Sequence, residues 1–142
     1  MVKRRNETVK DLENEDRARR LIEQYRDKVV TKLSETHYQI DWAISDPDNT
    51  LTCYAEYKFR SKKYPTVILS AAKYAQGMFL SQPVGVPFRL FIEWPWGIFW
   101  ADMPMGLPAI MGGRKDRDQE ADWEPMVEIS SDLFRPLTPK AR

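Results

Sequence analysis

The chain has 142 residues, of which 42% are hydrophobic and 30% charged, and its formal net charge at pH 7 is +1. This length fits one domain with a core of its own, and no run approaches the roughly 18 apolar residues of a membrane span. The basic start at residues 2–6 lacks the apolar stretch of a secretion signal, so we expect a cytoplasmic protein. The low net charge disfavours a protein that coats DNA, although a nuclease needs only a local basic rim.

The first predicted element is a helix that starts at a capping-box pattern, Thr8 with Asp11, and runs to about Val30. Its apolar residues recur at helical spacing. At about 100° per residue, Glu15 falls at the edge of this apolar stripe and Glu13 on the opposite side. Glu15 is therefore the helix carboxylate expected to face the sheet. The stripe consists of Ala18, Leu21, Ile22, Tyr25 and Val29.

Two strands are predicted next, at about 37–44 and 51–60, joined by the turn residues of 45–49. Every second residue of each strand is apolar, so each strand has one apolar face. Burying both apolar faces together fixes the parity of the pairing, because a slip of one residue would expose one of them. These faces are Tyr38, Ile40, Trp42 and Ile44, and Leu51, Cys53, Ala55, Tyr57 and Phe59.

If Asp46 lies opposite Asn49 in this hairpin, Ile44 lies opposite Leu51 and Asp41 opposite Tyr54. Asp41 and Glu56 are then diagonal neighbours on the other face, about 7 Å apart at the backbone. A register changed by two residues would place them directly opposite each other. Either arrangement lets both carboxylates reach one cation.

Glu56 and Lys58 lie two residues apart in the second strand, so both side chains point to one face. A carboxylate can hold a hard divalent cation, and a lysine beside it can orient or help deprotonate an attacking water. A Pro-Asp pair at 47–48 also precedes Glu56, but it belongs to the turn and lies too far along the strands to share a metal.

The remaining elements alternate between strand and helix. Ser70 is expected to cap a helix of about 71–80, and a turn at 95–97 joins two strands. The chain is expected to form one mixed sheet with helices against it. The predicted elements are a basic loop at 60–63, strands at 64–69, 88–94 and 98–103, a mobile loop at 111–123, a short edge strand at 126–129 and a loosely held tail after Phe134.

A helix with Glu15, a strand with Asp41, a strand with Glu56-x-Lys58, then a helix and a strand resemble the PD-(D/E)XK nuclease superfamily over residues 8–103. The residue before Asp41 is Ile40 where the motif has proline. The resemblance implies an α+β fold, with a mixed central sheet, flanking helices and the restriction-endonuclease-like αβββαβ core. One domain would span 1–142, with its core at about 8–103 and a loop, edge strand and tail at 104–142.

The resemblance also implies site residues. Asp41 and Glu56 match the metal-binding acidic positions, Lys58 matches the motif lysine, and Glu15 matches an acidic residue that many members carry on the first helix. The ion would be Mg²⁺ or Mn²⁺, held also by the carbonyl of Tyr57. Residues of the second helix would contact nucleic acid, namely Lys73, Gln76 and Ser70.

Simpler interpretations stay open. Asp41, Glu56 and Lys58 can form a cross-strand salt bridge on a solvated face, and Glu15 can pair with Arg19. Lys73 and Gln76 can be plain surface or capping residues. Trp94, Trp96 and Trp100 cluster around one turn, where hairpin packing competes with stacking on bases.

The expected function is a divalent-metal-dependent nuclease that cleaves phosphodiester bonds, with DNA as the expected substrate and bacteriophage as a familiar source of such compact members. The first alternative is a catalytically inactive nuclease-fold module that binds nucleic acid or protein. The second is a protein-interaction domain of an unrelated α+β fold, with the tryptophan-rich hairpin as its contact surface. A homodimer stays an open alternative.

Overall fold

The structure is a computed structural model and describes residues 9–113 and 123–140. The predicted cap at Thr8 and most of the predicted mobile loop lie outside the described residues. The described helices are α1 (Val9–Arg26) and α2 (Ala71–Ser81). The strands are β1 (Val29–Lys32), β2 (Trp42–Ser45), β3 (Leu51–Phe59), β4 (Thr66–Ser70), β5 (Phe88–Trp94), β6 (Gly97–Asp102), β7 (Ile110–Gly113), β8 (Trp123–Ser130) and β9 (Arg135–Pro136).

Over the described residues, six strands form a central sheet in the order β1-β2-β3-β5-β6-β9. The pair β3 and β5 is parallel and the other pairs are antiparallel, so the sheet is mixed. Ala18 and Ile22 of α1 pack with Trp42 on one face, and Tyr74 of α2 packs with Leu90 on the other. The predicted α+β class and αβββαβ core are confirmed, in the order α1-β1-β2-β3-α2-β5, but β1 was not predicted and the strand predicted at 64–69 lies outside this core as β4.

The first helix is shorter than predicted, because α1 ends at Arg26 and not near Val30. Asp27 adopts a left-handed backbone, with φ of 54°, and this conformation stops the helix. Val29, expected in the helical stripe, instead begins β1, a strand that the sequence did not predict. The backbone N–H of Val30 donates to Glu23 Oε2 at 2.9 Å, which ties the new strand to the helix.

The hairpin of β2 and β3 forms as predicted but in the alternative register. Trp42 pairs with Ala55 and Ile44 with Cys53, two residues away from the predicted partners, and a bulge between Ile44 and Ser45 shifts the register by one residue. The first strand begins at Trp42 and not near residue 37, because the chain bends before it. Ile40 consequently packs in the core on the α2 side, whereas Trp42 packs on the α1 side.

The prediction of a single sheet was wrong. Strand β4 leaves the central sheet and pairs with β8, which pairs with β7, to form a second, three-stranded antiparallel sheet. Residues 110–113 are therefore a strand where the prediction began a loop, and β8 is a central strand and not a short edge strand. The tail is also held: β9 pairs with β6, and the N–H of Lys140 donates to the Tyr25 carbonyl at 2.7 Å.

The elements with strong local signals were predicted well. Helix α2 starts directly after Ser70, although the Ser70 hydroxyl makes no capping hydrogen bond, and β5 and β6 form the expected hairpin. Gly77 lets α2 approach β5 closely, since a Cβ there would lie 2.3 Å from a ring carbon of Phe88. None of the described helices is long and apolar enough to cross a membrane.

Candidate active site

The candidate site opens where β2 and β3 stop pairing. Trp42, the first residue of β2, pairs with Ala55, so β3 continues past Glu56 without this neighbour. Asp41 occupies the gap, and its Oδ2 accepts a hydrogen bond from the backbone N–H of Tyr57 at 3.0 Å. Asp41 is thereby placed across from Glu56.

An open cleft of about 230 Å³ lies at this position. All four catalytic candidates predicted from the sequence line the cleft, as do Tyr57 and Lys73. The structure therefore brings together residues from α1, β3 and α2 and from the segment just before β2. The four candidates are Glu15, Asp41, Glu56 and Lys58.

Glu56 is fully buried at the base of the cleft. Its Oε2 accepts from Lys73 Nζ at 2.5 Å, while its Oε1 is buried without a hydrogen-bond partner among the described residues. Burial, and next the Asp41 carboxylate, raise the pKa of Glu56 to about 8, against the opposing effect of Lys73. A buried carboxylate with an unsatisfied oxygen beside a second carboxylate is an arrangement that a cation stabilises.

Lys58 is half-buried and, being two residues after Glu56, points to the same side of β3. Burial, and next the positive charge of Arg60, lower the pKa of Lys58 to about 8. A lysine whose pKa lies this close to neutrality can orient a water molecule or accept its proton, which an ordinary lysine does poorly.

Glu15 is buried and Glu13 is exposed, so the predicted orientation of α1 is confirmed. Glu15 Oε2 pairs with Lys32 Nζ of β1 at 2.5 Å, whereas the simpler interpretation paired Glu15 with Arg19. Arg19 pairs with Asp16 at 3.5 Å instead.

Within the described residues, no group of three or more His, Cys, Asp or Glu side chains has a geometry that could hold a metal ion. Asp41 and Glu56 are a pair of carboxylates that line one cleft, and the Asp41 charge acts on Glu56. This pair fits Mg²⁺, which is commonly held by one or two carboxylates and keeps several waters.

The three predicted nucleic-acid contacts have different surroundings. Lys73 reaches into the cleft through its ion pair with Glu56. Gln76 Oε1 instead accepts hydrogen bonds from the backbone N–H groups of Gln39 and, at 3.3 Å, Ile40, the residues that lead into Asp41. Ser70 ends β4, where it pairs with Met126, and does not line the cleft.

Sequence reasoning missed further residues. Asp11 and Arg60 line the cleft. Asp11 was detectable, because it lies four residues before Glu15 and hence on the same helix face. Glu93 carries no sequence signal, yet it accepts from the Tyr57 hydroxyl at 2.6 Å and pairs with Arg17 of α1 at 2.8 Å.

Comparison with known proteins places this chain among the nucleases of the PD-(D/E)XK type. The sequence matches the family described as "Phage putative PDDEXK endonuclease" over residues 1–137, and the chain belongs to that family. Among solved structures it is similar to Hjc of Archaeoglobus fulgidus, a Holliday junction resolvase from an archaeal hyperthermophile. The identity is 13%, the TM-score is 0.53, and the match covers 84% of this chain and 87% of the resolvase, so the likeness shows the fold. No curated protein matches it in sequence.

Proposed function

We propose that the chain is a divalent-metal-dependent nuclease that hydrolyses phosphodiester bonds in DNA. The observation that carries the proposal is the buried Glu56 carboxylate, whose Oε1 has no partner among the described residues and which lies beside Asp41 in an open cleft. Leaving a buried acceptor unsatisfied costs about 1–3 kcal/mol, so this arrangement favours a bound cation.

Asp41 and Glu56 would hold Mg²⁺ or Mn²⁺, with the carbonyl of Tyr57 as a third protein oxygen and Glu15 acting from the neighbouring helix. The ion, when bound, would neutralise charge that grows on the phosphate and acidify the attacking water. The Asp41 carboxylate is held for this role by the Tyr57 N–H.

Lys58 would hold the attacking water and accept its proton, since its pKa is lowered to about 8 by burial. Lys73 would exchange its contact with Glu56 for a phosphate oxygen of the substrate. Ser70 and Gln76, at the start and middle of α2, stay candidate nucleic-acid contacts from the resemblance, although the hydrogen bonds of Gln76 favour a supporting role.

Two observations support DNA as the substrate. The solved structure of similar fold is a resolvase of Holliday junctions, which are DNA. The loop after β3 starts at the cleft residue Arg60 and carries the exposed cations Lys62 and Lys63, which suit a polyanionic strand. Membership in a phage family favours action in the cytoplasm of the host cell.

The test combines calorimetry with cleavage of labelled DNA in Mg²⁺ or Mn²⁺. Wild type should bind the ion and cut. Asp41→Ala should lose both properties, and Lys58→Ala should bind the ion nearly normally and cut at least about 100-fold more slowly, the usual scale for a lost general base. Normal turnover by Lys58→Ala would remove the proposed role of the lysine.

The same experiment separates the nuclease from an inactive module. A module that only binds nucleic acid would retain affinity for DNA while showing no cleavage with either ion. Cleavage that continues unchanged in EDTA would contradict the proposed metal dependence.

A further inference from the structure

An exposed indole lies at the turn between β5 and β6. Trp96 is 58% exposed, whereas Trp94, two residues earlier, is buried. The two rings stack, with centroids 5.9 Å apart and an interplanar angle of 9°. Trp94 thus supports one face of Trp96 from below, and the exposed area of Trp96 is available for a second stacking partner.

The core does not require Trp96. Trp94 already fills the space under the turn, where it meets Phe99 and Phe134 in edge-on contacts. Hairpin packing, the simpler interpretation of the tryptophan cluster, therefore explains Trp94 and leaves the exposure of Trp96 unexplained.

Trp94, on which Trp96 stacks, points to the same side of the sheet as Glu56 and Lys58. Strands β3 and β5 are parallel, and Lys58 pairs with Ile92, so Trp94 points to the side that Glu56 and Lys58 share. The backbone N–H of Arg60 donates to the Glu93 carbonyl at 2.8 Å, and this bond connects the rim of the cleft to the end of β5. Trp96 follows Glu93 by three residues, a reach of at most about 10 Å.

The loop that runs from the cleft to Trp94 is basic. The loop that leaves β3 carries Arg60, Lys62 and Lys63, and residues 60–66 include no carboxylate. Trp94 Nε1 donates to the Lys62 carbonyl at 3.2 Å, and Lys63 Nζ lies 5.4 Å from the centroid of the Trp94 ring. These contacts hold the loop against Trp94 and place the Lys63 ammonium near the ring on which Trp96 stacks.

We propose that Trp96, with Lys62 and Lys63, forms a platform that binds a nucleic-acid strand by stacking on an unpaired base. Bases stack on aromatic side chains with little sequence preference, and adjacent lysines bind the phosphates that flank the base. The direction of the strand, from the platform into the cleft, rests on the proposed nuclease function. The stacking contact itself does not.

The experiment measures oligonucleotide binding in EDTA, where the proposed metal-dependent cleavage cannot occur. The probes are a fluorescent 12-residue oligothymidylate and the same length of abasic DNA, which keeps the phosphates and lacks bases. Trp96→Ala should weaken binding of the oligothymidylate by about 5- to 100-fold, the range for loss of one stacked base, and leave binding of the abasic strand unchanged. Trp96→Phe should recover part of the affinity.

Two controls accompany the variant. Phe79→Ala removes another large exposed aromatic, 76% exposed on α2, and should leave both affinities unchanged. Lys63→Gln should lower the affinity for both probes and reduce the slope of log affinity against log salt by about 1, because it removes one phosphate contact.

Equal affinity of wild type and folded Trp96→Ala for the oligothymidylate overturns the platform. An equal loss on both probes overturns stacking, since the contact would then be to the backbone. If sedimentation shows that Trp96→Ala dissociates a dimer without changing DNA affinity, the indole is a protein contact. Wild type that binds through Trp96 yet cuts nothing in Mg²⁺ or Mn²⁺ would contradict the nuclease and leave the platform intact.

Discussion

The Asp41 carboxylate and the Tyr57 backbone are joined by a hydrogen bond of 3.0 Å at the point where two strands part. This bond satisfies an N–H that has lost its strand neighbour, and it holds Asp41 beside the buried Glu56. The two carboxylates are thus brought together by the end of a strand pair, and their mutual repulsion is a property of the folded chain without metal. The pH dependence of stability should report that repulsion.

Stability of the metal-free protein should fall as pH rises between about 4.5 and 8 through the contribution of Glu56. Burial and Asp41 raise the pKa of Glu56 from 4.5 to about 8, so in this window the folded state binds a proton that the unfolded state releases. This stabilisation is complete below the pKa that Glu56 has in the unfolded chain, and it is lost as pH rises through the pKa that Glu56 has in the folded protein. Lys58, with its lowered pKa, acts in the opposite direction, but between about 8 and 10.5.

The measurement is thermal or urea unfolding in EDTA from pH 5 to 8, for wild type and Glu56→Gln. The variant has no proton to lose, so its stability relative to wild type should increase across this range, by an amount on the order of a few kcal/mol. Parallel curves for the two proteins would show that Glu56 does not titrate in this window.

Gly77→Ala should destabilise the fold even though alanine favours helix. Alanine gains about 1 kcal/mol of helix propensity over glycine, but its Cβ would lie 2.3 Å from the buried Phe88 ring. The clash should outweigh the gain in helix propensity, so the free energy of unfolding should fall by about 1–3 kcal/mol, as is typical of an overpacked core. Ala75→Gly, at an exposed position of the same helix, measures propensity alone and should cost about 1 kcal/mol. A neutral or stabilising Gly77→Ala would mean that α2 moves away from β5 at little cost.

Local signals account for the parts of the fold that the sequence predicted. Helix α2 follows a serine and a helix-forming run, and the hairpin of β5 and β6 surrounds a Pro-Trp-Gly turn. Glu56 and Lys58 lie two residues apart in a strand, so their side chains share a side in any pairing register. Their shared orientation could therefore be predicted without knowing the register.

The missed parts depend on distant pairing. Strand β1 has four residues and becomes a strand because β2 pairs with it. The second sheet joins Thr66 to Ser130, and nothing near either residue indicates the other. The register of β2 and β3 differs from the predicted one by two residues, of which the bulge after Ile44 accounts for one, and the alternation of apolar residues is the same in both registers.

Glu15→Gln should lower cleavage at limiting Mg²⁺, whereas Glu13→Gln should be nearly silent. Glu15 is buried at the cleft and Glu13 is exposed on the other side of α1. The two variants make the same chemical change, so a difference between them reports the location of the residue on the helix. Rates are compared over a Mg²⁺ titration, with unfolding measured in parallel because Glu15 also pairs with Lys32. Equal losses at both positions would indicate a general charge effect. No loss at Glu15 would leave Asp41 and Glu56 as the carboxylates on the ion.

Gln76 offers a test of two roles for one residue. The resemblance made it a nucleic-acid contact, whereas in the structure its Oε1 accepts from the N–H groups of Gln39 and Ile40, just before Asp41. If Gln76 positions Asp41, then Gln76→Leu removes the acceptor and should weaken both Mg²⁺ binding and cleavage. Gln76→Glu keeps an acceptor oxygen and should restore both.

The glutamate variant separates the alternatives, because a negative charge beside a phosphate repels it. A direct contact to the substrate predicts that Gln76→Glu binds DNA more weakly than Gln76→Leu and that neither variant changes Mg²⁺ affinity. A positioning role predicts that Gln76→Glu cleaves DNA faster than Gln76→Leu. It also predicts that Gln76→Leu loses Mg²⁺ affinity and Gln76→Glu does not. Calorimetry with Mg²⁺ alone decides between them, because it contains no nucleic acid and reads only the state of the carboxylate pair.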